Sequence, residues 1–325
     1  MDYRALCLVL TDRCNAECAF CGLRCKRDNR NVISESLARS AMEQAKEMSG
    51  FKRLALSGGE AFLYPDLAAR LLDYARELGF AERTIATNGF WGGWPDEKIA
   101  RTLDALSSCT AFSFSYDAFH AEWIPERNIW RAVQALGRRG KHYTISVADV
   151  PGEKGAAPFL SSLGEDALNR KYHAYPLQPA GRAGGLPDSY FFREVDWEKC
   201  ACFTAEAIAV WHDGTIYPCC APSIVDTAFS LGNLNETSLS YALFRSPGAK
   251  LLAVLNQRKY FVRLISMARD EWGVPIPDKV VNGCEACYAM FTRPGILERA
   301  ISYAETVRTE LLLEHLFEDG NAQEA

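Results

Sequence analysis

No apolar run in this 325-residue chain reaches the ~18 residues that a membrane-spanning helix needs. Basic residues are not in excess: 36 Lys and Arg stand against 41 Asp and Glu, a formal charge of −5. That balance argues against nucleic acid as a partner. The strand pattern begins near residue 4, which leaves no room for a secretory signal, so a cytoplasmic location is expected. Internal repeats and low-complexity segments are missing, and through the first half so are hairpin turns. What remains is a chain long enough for a barrel-sized domain and a smaller companion. Cysteine is the exception to this restraint. Twelve of them point to metal or redox chemistry in a reducing compartment rather than to disulfides.

Three cysteines follow the first predicted strand, in Thr11-Asp12-Arg13-Cys14-Asn15-Ala16-Glu17-Cys18-Ala19-Phe20-Cys21. At this spacing one short loop can wrap Cys14, Cys18 and Cys21 around a cubane iron–sulfur cluster, leaving its fourth iron open to a substrate. A structural zinc site would want a fourth ligand close by and two paired-Cys knuckles. A second motif, Ser57-Gly58-Gly59-Glu60, ends the second predicted strand. Alone, such a glycine pair reads as a turn; glycine also tolerates close backbone approach. With Phe20 before the last cysteine, the two motifs resemble the radical S-adenosylmethionine (SAM) superfamily. The resemblance implies that SAM binds the open iron. It also implies that Gly58 and Gly59 admit its methionine part and that Glu60 binds its amino group. Ala61 stands where that family often has proline.

Strands are expected at 5–10, 53–56, 84–87, 111–116, 143–148 and 172–177. Helices fall between them at 34–49 (capped by Ser34), from Asp66 to Gly79, at 97–106 and at 128–139. Repeated β/α without hairpins means a parallel sheet with right-handed crossovers, with ligands at the carboxyl ends of the strands. It resembles the α/β partial (β/α)6 barrel of the radical SAM family. Gly and Pro cluster at 181–188. The expected division is residues 1–185 as barrel, 186–198 as linker, 199–292 as a cysteine-rich cluster domain with a helical insertion at 239–268, and 293–325 as helix and polar tail.

Cys202, Gly214 and Cys219 resemble the SPASM/Twitch extension of that family, which holds an auxiliary iron–sulfur cluster. Strands at 208–211 and 215–217, joined at Gly214, would bring Cys202 and Cys219 together. The Cys284 and Cys287 pair would complete four ligands. Six cysteines lie outside the barrel and two full clusters would need eight, so one auxiliary cluster is expected, with Cys200 and Cys220 left over. If Cys219 and Cys220 are extended, their side chains oppose one another. Cys220 would then face either the cavity between the domains or the interior, as a spare thiol.

The runs 87–92, 115–120 and 212–220, with the distant CxxC, are similar to radical SAM epimerases that convert L- to D-residues in ribosomally made peptides. That similarity makes Cys220 the hydrogen donor and Glu206 a peptide-holding residue. It implies SAM, two [4Fe-4S] clusters, a precursor peptide and an electron donor such as flavodoxin or ferredoxin. Asn88, Ser115 and Arg182 resemble SAM contacts, with turn capping or solvation as alternatives. Asp117 and His120 either touch substrate or form a structural pair. Phe90, Trp91, Trp94 and Tyr116 either line a peptide groove or belong to the core. Competing functions are thioether or carbon–carbon cross-linking of a peptide, chemistry on a small molecule, and a two-cluster electron carrier.

Overall fold

Strands β1 (Ala5–Thr11), β2 (Arg53–Gly58), β3 (Glu82–Thr87), β4 (Ala111–Ser115), β5 (His142–Asp149) and β6 (Tyr172–Pro176) pair in parallel and in chain order. The computed structural model describes residues 4–163, 172–202 and 206–321; of the expected polar tail, residues 322–325 lie outside them. Crossovers run through α1 (Glu35–Glu47), α2 (Pro65–Glu77), α3 (Asp96–Ala105), α4 (Ala118–Ala121), α5 (Glu126–Gly137) and α6 (Ala156–Ser162). Ser34 caps α1 by accepting from the Leu37 N–H, and Ala38, Ala41, Met42 and Ala45 form its buried stripe. The expected Asp66 cap is corrected. α2 starts one residue earlier at Pro65, which has no N–H to satisfy, and Asp66 sits in the first turn.

The two faces of the sheet differ in size and polarity, and this difference positions the site. Leu6, Leu8, Leu10, Leu54, Leu56, Ile85, Phe112, Phe114, Ile145 and Val147 are buried against the helices. Each such side chain contributes roughly 1.5–3 kcal/mol on burial. The alternate positions carry small or polar residues: Ala55, Ser57, Thr84, Ala86, Ser113, Ser115 and Ser146, all of which keep some exposure. A period of two therefore gives a solid outer layer and an inner face with room beside it.

The hairpin expected in the second domain belongs to the same sheet. β8 (Ala207–Val210) pairs in parallel with the free edge of β1, and β9 (Thr215–Tyr217) returns antiparallel, followed by β10 (Gly232–Asn233). The order is β10-β9-β8-β1-β2-β3-β4-β5-β6. Gly214 takes φ +92 in the turn, as the hairpin reading requires. Hence there is no break in the sheet at the boundary read from glycine and proline. A short ribbon pairs β7 (Val195–Asp196) with β11 (Lys279–Val280). The remaining chain is helical, at Leu239–Phe244, Pro247–Leu255, Arg258–Asp270, Gly283–Phe291 and Ile296–Asn321.

Candidate active site

A cavity of about 190 Å³ opens at the carboxyl ends of the parallel strands. Cys14, Cys18 and Cys21 line it from the loop after β1. Gly58 and Gly59 line it from the end of β2, and Asn88, Ser115, His120 and Arg182 complete the candidates it gathers, with Phe20. The glycine pair acts first on the chain itself. The β1/β2 register shifts between Val9 and Thr11, where Gly58 has φ +132. The Gly59 N–H donates to Thr11 O (2.8 Å) and the Glu60 N–H to Arg13 O (3.0 Å). A Cβ on Gly59 would stand 2.0 Å from Arg13 O, and one on Gly58 would stand 2.4 Å from Thr11 O. Glycine thus clamps the second motif onto the stem of the cysteine loop.

Glu60 departs from its expected role. It is fully buried and does not line the cavity. Its carboxylate accepts from Phe62 N (3.0 Å), Thr87 Oγ1 (2.8 Å) and Asn88 N (2.7 Å). It therefore braces β3 rather than presenting an acceptor to a ligand. Burial lifts its carboxyl to about 7, against the pull of these three donors. A raised acid pKa means that the folded state holds the proton longer than the unfolded one. Wild-type stability should therefore fall as pH rises from about 4.5 to about 7, by about 3 kcal/mol for this group. Glu60→Gln cannot ionise, so its stability relative to wild type should rise across that window. Urea unfolding of both proteins at pH 5 and pH 8 checks this; a constant difference would refute it.

Asn88 stands beside the first thiol. Its Nδ2 donates to Asn15 Oδ1 (2.9 Å) and lies 3.7 Å from Cys14 Sγ, while its Oδ1 accepts from Phe90 N. Arg182 wraps the cysteine loop, donating from Nε to Cys18 O (2.9 Å) and from Nη1 to Cys25 O (2.8 Å). Its Nη2 is buried and has no partner among the described residues, so the cavity wall holds one unused charged donor. Asp117 and His120 form the structural pair. The fully buried Asp117 accepts from the Phe119, His120 and Ala148 N–H groups, and from His120 Nδ1 at 2.9 Å. Burial disfavours charge on His120, but Asp117 outweighs it and raises the imidazole's pKa. Asp117 is a positioning group, and only His120 reaches the cavity.

Tyr175 and Cys25 also line this cavity, and no sequence pattern singled them out. Tyr175 could have been found from its level, since β5/β6 register sets it opposite Ala148 on the inner face. The Cys25 thiol bonds to Cys21, which lowers Cys21 to about 6. Burial lifts Cys14 to about 12. Of the aromatics at the third and fourth strand ends, Trp91 and Tyr116 are core, and half-buried Phe90 and Trp94 pack against it. Trp91 stacks on Phe62 (4.6 Å, 10°), and the Tyr116 hydroxyl donates to Ile124 O.

The other cysteines assemble under the hairpin. Cys202, Cys219, Cys284 and Cys287 line one small apolar pocket with Phe229, Leu252 and Phe261. Buried Cys200 joins them closely enough that Cys284 adds to the lift burial gives its thiol, to about 11. It is a neighbour of that group, which counting alone could not show. Cys220 goes the other way. It is exposed whereas Cys219 is buried, although both sit in a bend just after β9 rather than in extended strand. Surrounding protein nevertheless raises its thiol, as on a concave wall, and Arg53 works against that rise. Cys220 in turn adds to the raised pKa of Cys7. Cys7 lies on the inner face of β1, and Cys220 itself does not line the first cavity. Glu206 is placed apart from the other candidates. It pairs with Arg53 (3.2 Å) where β8 begins, at the far ends of the strands from the cysteine loop.

The residues fit the groups that the resemblance implies. Three thiols share one cavity with an unpartnered buried guanidinium nitrogen, as an open-iron cluster and a carboxylate-bearing cosubstrate require. Four more share a second pocket. Comparisons agree. The model of the radical SAM superfamily matches residues 8–153, and that of the SPASM iron–sulfur cluster-binding domain matches residues 200–264. A protein of Bacillus subtilis (strain 168) named for peptide biosynthesis, YydG, is 23% identical over 95% of this chain and 99% of its own. SuiB of Streptococcus suis, solved with S-adenosylmethionine, is similar at TM-score 0.57 and 16% identity, covering 91% of this chain and 78% of that one. The enzyme anSMEcpe, solved with AdoMet and the Cp18Cys peptide, is similar at TM-score 0.56 and 13% identity, covering 93% and 99%.

Proposed function

This chain belongs to the radical SAM superfamily, with a SPASM-type cluster domain behind its parallel sheet, and from that premise we propose that it inverts L-residues in a ribosomally made peptide. The observation carrying the proposal is the divergence of Cys219 and Cys220: one thiol in the auxiliary pocket, its neighbour exposed outside it. The relative named for peptide biosynthesis and the neighbour solved with a peptide support a peptide substrate. Cys14, Cys18 and Cys21 would hold the SAM-binding cluster, and Cys202, Cys219, Cys284 and Cys287 the auxiliary one. When bound, the first cluster and SAM supply a 5′-deoxyadenosyl radical able to take a Cα hydrogen.

The chain's own residues do the rest. Arg182 Nη2 gives the SAM carboxylate a buried partner, while Asn88 orients its amide at Cys14. His120, whose imidazole is paired with Asp117 at 2.9 Å and shifted by it toward the protonated form, faces the same cavity. The small inner-face residues of β2 to β5 leave space for a peptide backbone. Cys220 returns hydrogen to the opposite face of the flat Cα radical. A thiol suits this step because its S–H bond is weak and no ionisation is needed. The raised pKa of Cys220 keeps the hydrogen in place. The protein's contribution is placement.

The test is anaerobic turnover of a precursor peptide with SAM in D2O, followed by mass spectrometry. Epimerisation predicts one solvent deuterium at Cα for each inverted residue and an otherwise unchanged composition. A product lighter by two hydrogens would replace this reading with cross-linking.

A further inference from the structure

Cys14 has two sides. One lines the cavity already described; the other lines a second groove with three arginines (Arg13, Arg27, Arg30), two acids (Glu17, Asp28), Asn15 and Leu63. We propose that this groove is the docking surface for an acidic one-electron carrier protein, which delivers electrons to the first cluster through the Cys14 wall. The proposal rests on the function proposed above. There, one electron starts SAM cleavage, and a second, with a proton, restores the Cys220 thiol after it has given up its hydrogen atom. Each turnover therefore consumes two electrons, and both must come from another molecule.

Charge identifies the carrier's chemistry. The whole chain is acidic, at −5, yet its groove is cationic. Arg27, Arg30 and the adjacent Lys26 are exposed, and Arg13 is half-buried. Among the described residues no carboxylate forms an ion pair with any of these four, whereas elsewhere arginines such as Arg24, Arg39, Arg53, Arg70, Arg131, Arg139 and Arg193 are paired. Two acids stand on the rim. Glu17 is turned toward the Arg27 N–H (3.3 Å), and Asp28 is exposed. Arg30 is anchored through Nη1 to Arg27 O and Asn29 O, which fixes part of the charge instead of leaving it on a free arm. Val32 adds an exposed apolar side chain beside them. Unpaired cations around an apolar spot speed and orient the encounter with an anionic partner.

Position separates a carrier from a substrate. The reacting carbon of a substrate must enter the inner cavity, where Gly58, Gly59 and Ser115 face it. The groove shares only Cys14 with that cavity. A partner seated there meets the cluster's ligand without obstructing the substrate.

The decisive variant is Arg27→Glu with Arg30→Glu, in the fully reconstituted enzyme, with a bacterial flavodoxin as probe. Calorimetric Kd at two salt concentrations and stopped-flow oxidation of the flavodoxin hydroquinone are both read. Dithionite-driven SAM cleavage measures the enzyme without any carrier. Wild type should bind flavodoxin more weakly as salt rises. The double variant should lose at least about tenfold in affinity and in reoxidation rate, while cleaving SAM normally with dithionite. Flavodoxin binding and oxidation at wild-type values in the variant would overturn the proposal. So would loss of precursor-peptide binding with flavodoxin binding intact, which would make the groove a peptide site. Failure of dithionite-driven cleavage in wild type would instead overturn the enzymatic reading on which this one stands.

Discussion

Cys220→Ala should cleave SAM at the wild-type rate and yet form no epimer. The variant keeps every group that lines the first cavity, because Cys220 is not among them. It loses only the S–H bond that quenches the substrate radical on its opposite face. The expected loss of D-residue is about 10²-fold or more, the scale of removing a positioned hydrogen-transferring group. Cys220→Ser should fail equally, because the O–H bond is much stronger than S–H. Chiral amino-acid analysis of the peptide, set against 5′-deoxyadenosine released, separates the two steps. An alanine variant that still inverts residues would remove Cys220 from the mechanism. Equal loss of cleavage and epimer would make Cys220 a structural thiol.

The second large effect is expected at Gly59. Alanine there needs a Cβ 2.0 Å from Arg13 O and 2.4 Å from Arg13 C. Backbone cannot move aside as the end of a flexible side chain would, so the stem of the cysteine loop must shift. Such a displacement of about 1 Å costs roughly 10²-fold in rate when the reacting groups depend on the geometry. Iron should fall from about eight per chain toward about four, because only the first of two four-iron clusters is disturbed. Iron assay and the cluster's visible absorbance check this alongside SAM cleavage. Full iron content in Gly59→Ala, with normal cleavage, would show that the clamp is dispensable. Gly79→Ala is the control. It also has positive φ, at +80, but a Cβ there meets nothing within 4 Å and lies far from the loop.

These expectations mark how much of the site could be read from the chain and where reading stopped. The cysteine triplet, Ser57-Gly58-Gly59-Glu60 and the alternation of β and α were legible. Each is a pattern within a few residues, and local geometry gives such patterns their meaning. Cys219 and Cys220 do part company, one buried and one exposed, but at a bend after β9 rather than along extended backbone. Glu60 shows where local reading stops: its residue type announces an anion, but its partners Thr87 and Asn88 come from the end of a different strand and the residue after it, 27 and 28 residues away. Arg182 likewise has a structural task that spacing does not show, since it reaches Cys18 O across 164 residues. Cys200 was counted as spare because sequence spacing cannot show that five thiols gather beneath one hairpin.

By itself, then, the order of residues determined the family, the crossover architecture, the two sets of cysteines and the absence of an apolar run long enough for a membrane helix. These follow from short-range rules of spacing, capping and alternation. Tertiary structure alone decided which edge of the sheet received the hairpin, what Glu60 and Arg182 hold, and that Cys14 lines both an inner cavity and a cationic groove. The reason is register. Parallel strands far apart in the chain align only when the whole sheet closes, and a shift of one residue would exchange every inner side chain with an outer one.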